Sequence, residues 1–225
     1  IISVIVVHAV YVAVIRPNAD SIMEQQVILQ EADPEYVAER SLYVVMRDYE
    51  QETCIILMFW AMSIIGLKIY RNRKENRLLQ RSLLTLSEGM SILPEDARDY
   101  ARPVQALPSE EREFLLPRAL LAALHRFGST RSIPDVASVI RDLCTNESDR
   151  LESELTIVRY IAWAIPSIGF LGTVRGIGEA LGQAHRAVSG DIVGVTVSLG
   201  VAFNSTFIAL VVSILIMFIL YQLQL

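Results

Sequence analysis

The chain has 225 residues, 52% of them hydrophobic and 20% charged, with a formal net charge of −5 and a mean hydropathy of +0.40. It is too apolar for an ordinary soluble domain and too charged to lie wholly in lipid, so it should alternate membrane spans with wet segments.

The first apolar run, Ile1 to Ile15, is short. At 1.5 Å per residue it reaches only about 22 Å of a hydrocarbon core roughly 30 Å thick, which implies upstream residues that complete the span. A cleavable signal peptide is the competing reading, but no basic leader and no small-residue cleavage site precede Arg16 and Pro17. Transmembrane helix 1 is placed at residues 1–16. An outer segment at 17–53 follows, in which Asp20 to Gln30 and Pro34 to Gln51 suit helices broken at Asp33 and Pro34. The second run, Cys54 to Tyr70, gives transmembrane helix 2 at 54–70, and the pattern RLLQRSLLTLSEGMSIL carries it onward as a helix until Gly89.

Residues 71–154 read as a helical domain. Pro94, Pro103 and Pro108 break the chain, a helix with acids in its first turn runs from Ser109 to Gly128, and another runs from about Ile133 to Cys144. Transmembrane helix 3 occupies 155–182, a short loop 183–191, and transmembrane helix 4 192–222. No strand alternation or internal repeat interrupts this order. The expected fold is an all-α integral membrane protein with four transmembrane helices, a helical domain between spans 2 and 3 and an enlarged hairpin between spans 1 and 2.

Arg16 to Thr53 holds three arginines against nine acids, whereas Arg71 to Thr156 holds thirteen arginines and lysines, opening with RNRKENR. The positive-inside bias makes the second segment cytoplasmic and the acidic hairpin external. The basic cluster itself is read as an anchor on lipid headgroups rather than a nucleic-acid patch.

Cys54 and Cys144 fall on opposite sides of the membrane in this topology, and His8, His125 and His185 are scattered. No HExxH, paired Cys-x-x-Cys, Walker-type loop or nucleophile elbow occurs, so nothing here resembles an enzyme site, a metal centre or a nucleotide motor. Mechanical or transport work would need another energy source.

The stretch GFLGTVRGIGEALG sits in the third apolar run, although each glycine weakens a helix by about 1 kcal/mol relative to alanine. Periodicity explains it. Ile165, Gly169, Gly172, Thr173, Gly176 and Ala180 recur at steps of three and four, and Ser198, Ala202, Thr206, Ala209 and Ser213 make a similar stripe on the fourth run. Small-residue stripes let helices approach closely, and where they do not touch they can line a narrow polar path. Thr173 and Thr206 each lie about sixteen residues from the cytoplasmic end of their helix, a common depth of roughly 24 Å. The bland alternative is that each threonine bonds its own i−4 carbonyl.

At these residues the chain resembles the MotA/TolQ/ExbB family of ion-channel subunits. IPSIGFLGTVRGIGEAL is similar to that family's Pro-x-x-Gly-x-x-Gly-Thr-Val-x-Gly-Ile pattern, and LGVAFNSTFIALVVSIL to its last helix. The resemblance implies a homopentamer around a dimer of a single-span subunit of the MotB, TolR or ExbD kind. The partner's transmembrane aspartate would carry H⁺ or Na⁺ past Thr173 and Thr206, with Ser205 and Ser198 adding hydroxyls. Gly169, Gly172, Gly176, Ala202 and Ala209 would form the packing and pore face. No cofactor beyond the transported ion, no metal and no nucleic acid is implied; a non-conducting oligomeric membrane scaffold is the alternative. The family's ExbB and TolQ members carry a glutamate five residues before the last-helix threonine; here that position is Val201.

Arg175 lies too deep to face lipid, and Glu179 one turn later is a ready partner, either as a simple intrahelical pair or as a charged collar at the mouth. Pro166 should kink span 3 and free the carbonyl of Ala162.

Overall fold

The structure is a computed structural model that describes residues 2–32, 41–84, 91–188, 190 and 192–224. The described residues are helical, with no strand among them. Helix α1 (Ile2–Val10) runs through a π-helical turn (Tyr11–Ile15) into α2 (Arg16–Ala32). There follow α3 (Leu42–Val45), α4 (Tyr49–Leu79), α5 (Ala97–Gln105), α6 (Ser109–Arg112) and α7 (Leu115–Thr130). The chain ends with α8 (Ile133–Gly182), α9 (Ala184–Val188) and α10 (Val193–Gln224). Among the described residues, four helical stretches are long and apolar enough to cross a membrane: Ile2–Leu29, Tyr49–Leu79, Ile133–Gly182 and Val193–Leu223.

The helices divide into two compact units, Ile1–Ile65 with Ile157–Leu225, and Gly66–Thr156. In the first, α8 buries Val158, Ile161, Ala162 and Ile165, and α10 buries Ala202, Ala209, Val212 and Ile216, each along a single stripe of three- and four-residue steps. The remaining faces of both helices carry exposed Phe170, Leu171, Phe203 and Phe207, as expected of surfaces that meet lipid or other chains. In the second unit Ala97, Ala101 and Leu124 form a small core between α5 and α7, closed by Leu84, Ile92, Tyr100 and Leu121.

Several helix limits differ from the sequence reading, each for a local reason. The first helix does not end at Arg16 but continues to Ala32. Its π turn bonds the Arg16 N–H to the Tyr11 carbonyl, one residue wider than α, immediately before Pro17, which has no N–H to give. The expected helix over Pro34 to Gln51 is not continuous. Residues 33–40 lie outside the described residues, α3 stops at Val45, and the Gln51 amide donates to the Val45 carbonyl at 3.0 Å, closing that end. The helix of span 2 then begins at Tyr49 rather than Cys54, with Glu50 and Glu52 complementing its N-terminal dipole, and ends at Leu79 rather than Gly89.

The helix expected from Ser109 to Gly128 is split. A continuous helix would drive the Pro117 ring into the Glu113 carbonyl; instead Phe114 is extended and α7 restarts at Leu115, placing Pro117 in a first turn that needs no N–H. Glu75 of α4 accepts the Leu115 N–H at 2.6 Å and caps that restart. Pro103 does not break the chain. It sits inside α5, where burial of Ala97, Ala101 and Val104 along one face outweighs one missing hydrogen bond. Finally, the helix begun at Ile133 does not stop at Cys144 but runs unbroken to Gly182. Its polar middle is stitched by Arg150, which pairs with Glu147 at 2.6 Å and Glu154 at 3.6 Å.

Candidate ion pathway

The seam between α8 and α10 is built from missing side chains. A methyl at Gly169 would collide with the Ala209 Cβ; one at Gly172 would stand 2.5 Å from the Ser205 Cβ; one at Gly176 would stand 2.8 Å from both the Ala202 Cβ and the Ser198 carbonyl oxygen. The two small-residue stripes therefore press on each other within one chain, and Ala202 and Ala209 are fully buried there. Gly172 is confined on a second side as well, because its Cβ would also meet the Glu50 Cγ at 3.2 Å.

At the edge of this seam the two threonines bond reciprocally. The Thr173 hydroxyl donates to the Ala202 carbonyl at 2.9 Å, and the Thr206 hydroxyl donates to the Gly169 carbonyl at 3.1 Å. Each acceptor lies four residues before the opposite threonine. The two hydroxyl oxygens also touch each other, while Thr173 reaches its own i−4 carbonyl, Gly169, only at 3.4 Å. A hydroxyl has one proton and two lone pairs, so when both protons point at carbonyls both oxygens keep lone pairs for a passing cation or proton donor. Both threonines are half-buried, at the rim of the seam rather than inside it.

The other sequence-selected hydroxyls sit elsewhere. Ser205 is buried, donating to its own i−4 carbonyl, Val201, at 3.0 Å. Ser198, also buried, accepts from the Gln183 amide at 3.2 Å. Ser198 is two helical turns from Thr206, about 12 Å along the axis, and the structure does not bring it to the threonine pair. The carbonyl of Ala162, which Pro166 cannot serve, is taken by the Ser213 hydroxyl of α10 at 2.9 Å. The Cys54 thiol contacts the Ile165 carbonyl at 3.8 Å.

Arg175 points to the other flank, about 160° from Thr173 at 100° per residue. Its guanidinium grips Glu50 with two contacts of 2.9 Å, while Asp48 stands at 3.6 Å and Glu179 at 3.7 Å. The fork geometry suits a carboxylate and makes Glu50 the main partner. Burial holds the Asp48 carboxyl above its ordinary value, opposed by the Arg175 and Arg47 guanidiniums. A further buried carboxylate, Glu52, accepts from Arg16 and pairs with His8 Nδ1 at 2.6 Å, fastening the first helix to α4. Glu50, Asp48 and Glu52 were invisible as site residues in the sequence, where they count only toward the acidity of an outer segment. The available signal was their place immediately before an apolar run, where a first helical turn puts acids beside a neighbouring span.

With a glycine-built seam, a threonine on each side of it and a preceding proline all in place, comparison with known proteins decides the lineage. The model of the MotA/TolQ/ExbB proton channel family matches residues 112–224, half of the chain. The chain belongs to that family. Its matched part contains α7 to α10, and so both threonines and all of the seam. The biopolymer transport protein ExbB of two strains of Xanthomonas campestris pv. campestris is 32% identical over 130 residues, covering 53% of this chain and 51% of that protein. The chain thus spans about half the length of the curated relatives it matches. No solved structure matches it. As a MotA/TolQ/ExbB family member with four helices among its described residues able to cross a bilayer, it is a multi-pass membrane protein.

Proposed function

We infer that this protein is a subunit of a stator-like ion channel of the bacterial inner membrane. Five copies surround two copies of a single-span MotB-, TolR- or ExbD-like partner, and the assembly conducts H⁺ or Na⁺ and converts ion-motive force into rotation. The observation that carries this reading is the reciprocal threonine pair: two hydroxyls at one level, on the half-exposed rim of a seam that is otherwise sealed by glycine and alanine. Neither α8 nor α10 offers a carboxylate beside them, Val201 stands one turn away, and Glu50 of α4 is held by Arg175, so the carboxylate that binds the ion belongs to the partner.

In this cycle the partner's aspartate takes up an ion from the acidic outer side, loses its charge, passes Thr173 and Thr206, and releases the ion on the side of the basic segments. Losing and regaining one charge in the membrane potential is worth about 2.3 kcal/mol per 100 mV, which biases the step in one direction. The hydroxyls replace part of the ion's hydration as it passes.

Replacing either threonine with alanine and assaying ion-dependent work in cells, with assembly followed by native mass, tests the proposal. Retained assembly with lost work supports the channel. Unaltered work with either alanine favours the non-conducting scaffold, in which the threonines serve only to join the helices.

A further inference from the structure

The ion path leaves one large feature of the chain unused: an open groove of about 1030 Å³ between α5 and α7. Its floor is small and apolar, with Ala97, Ala101 and Ala122, and its rim carries Arg98, Arg102 and Arg131 against one carboxylate, Glu95. Arg102 meets Asp99 at 3.2 Å and Arg131 meets Glu95 at 3.7 Å, but all four side chains are more than half exposed, so these pairs hold the arginines weakly. Arg98 makes no ion pair among the described residues. The groove is a basic slot over an alanine and leucine floor, suited to an element that brings acids.

The same domain displays such an element. Glu147 of α8 is buried and bonded to Arg118 of α7 at 2.9 Å, which fixes the face that α8 turns toward α7. Asp135, Asp142 and Asp149 recur every seven residues and lie about 200° to 240° from Glu147 around the helix, so they point away from α7. None of the three forms an ion pair among the described residues, and Asp142 and Asp149 are exposed. They stand about 10 Å apart along the axis, on a face that also carries Ser138, Val139, Thr145, Asn146 and Ser153. Because this stripe faces away from one wall of the groove, a chain is poorly placed to close the contact on itself.

We propose that the acidic stripe of α8 in one copy seats in the basic α5/α7 groove of the next copy. A contact between two different surfaces of one chain is heterologous, and it closes into a ring when the rotation between copies allows. The proposal rests on the oligomeric reading above and adds the surfaces by which the domains of residues 66–156 meet. Exposed charge pairs are individually weak and screened by salt, but copies already held together by their membrane helices meet at high effective concentration, so weak pairs suffice to set register.

The test uses two differently tagged full-length chains, both Cys144→Ser, one with Gln105→Cys in the groove and the other with Asn146→Cys on the stripe. A bismaleimide link between the tags is then intermolecular by construction. The expected result is a link that weakens with added salt and falls at least about five-fold when the groove copy carries Arg98→Glu with Arg102→Glu. Adding Asp142→Arg with Asp149→Arg to the stripe copy should restore it, which a misfolded variant could not do. A link indifferent to charge reversal, or no link while native mass shows an intact ring, overturns the proposal and leaves the channel reading standing. Absence of any ring overturns both.

Discussion

Thr206 donates its hydroxyl proton to the carbonyl of Gly169, the residue one turn before Thr173, and Thr173 returns the same bond to Ala202, one turn before Thr206. The exchange has consequences for stability that are separate from conduction. A hydrogen bond between membrane helices contributes about 0.6 kcal/mol on average and up to about 1.7. Thr173→Val and Thr206→Val should each destabilise the α8/α10 pair by about that much. The double variant should depart from the sum, because the hydroxyls also contact each other. Thr→Ser at either site keeps the donor and should stay near the parent. A double-mutant cycle on the detergent-solubilised chain measures the coupling, and strict additivity would show that the two bonds are independent.

Gly172 separates two neighbours at once, Ser205 on α10 and Glu50 on α4. Gly172→Ala gains about 1 kcal/mol of helix propensity but overpacks the seam, which typically costs 1–3 kcal/mol, so the net change should be destabilising. Gly178, with nothing within 4 Å of a would-be Cβ, is the matched control on the same helix. Gly178→Ala should leave the protomer as stable as before or slightly more so. Thermal unfolding of the two variants side by side decides the point; equal behaviour would mean the seam has slack.

These two sites also show what periodicity reveals and what it hides. The facing stripes of spans 3 and 4 were readable because small residues at three- and four-residue steps have one economical explanation, close helix contact. The partners of Arg175 were not readable in the same way. Glu179 shares its helix and is found by counting four residues, while Glu50 is 125 residues away and reaches Arg175 only through tertiary packing. Helix limits failed for a related reason: Pro103 and Pro117 look alike as breakers in sequence, yet one is carried inside a helix by a buried alanine face and the other sets a new helix start. Across Thr145 to Glu154, α8 is supported by Glu147, which pairs with Arg150 on the same helix and with Arg118 of α7, contacts that a polar stretch does not announce.

The Arg175 cluster yields a ranking. Glu50 is the better buried partner and makes both short contacts, whereas Glu179 is half exposed and stands at 3.7 Å. Glu50→Gln should destabilise the first unit by about 1–3 kcal/mol, since it leaves a partly buried guanidinium underpaired, and Glu179→Gln by less than about 1 kcal/mol. Chemical denaturation of each variant in one detergent checks the order. Equal losses would place Arg175 midway between the two acids.

Pro166 and Ser213 form the sharpest pair for a test, because the defect and its remedy are on different helices. Pro166 has no N–H for the Ala162 carbonyl, and the Ser213 hydroxyl supplies the missing donor at 2.9 Å. Ser213→Ala should therefore leave a buried acceptor bare and cost about 1–2 kcal/mol. In a Pro166→Ala background the helix provides its own N–H to Ala162, and the same serine deletion should cost less than half as much. Stability of the parent, both single variants and the double gives the coupling directly. If Ser213→Ala costs the same with and without the proline, its hydroxyl is not the substitute for the N–H that Pro166 lacks.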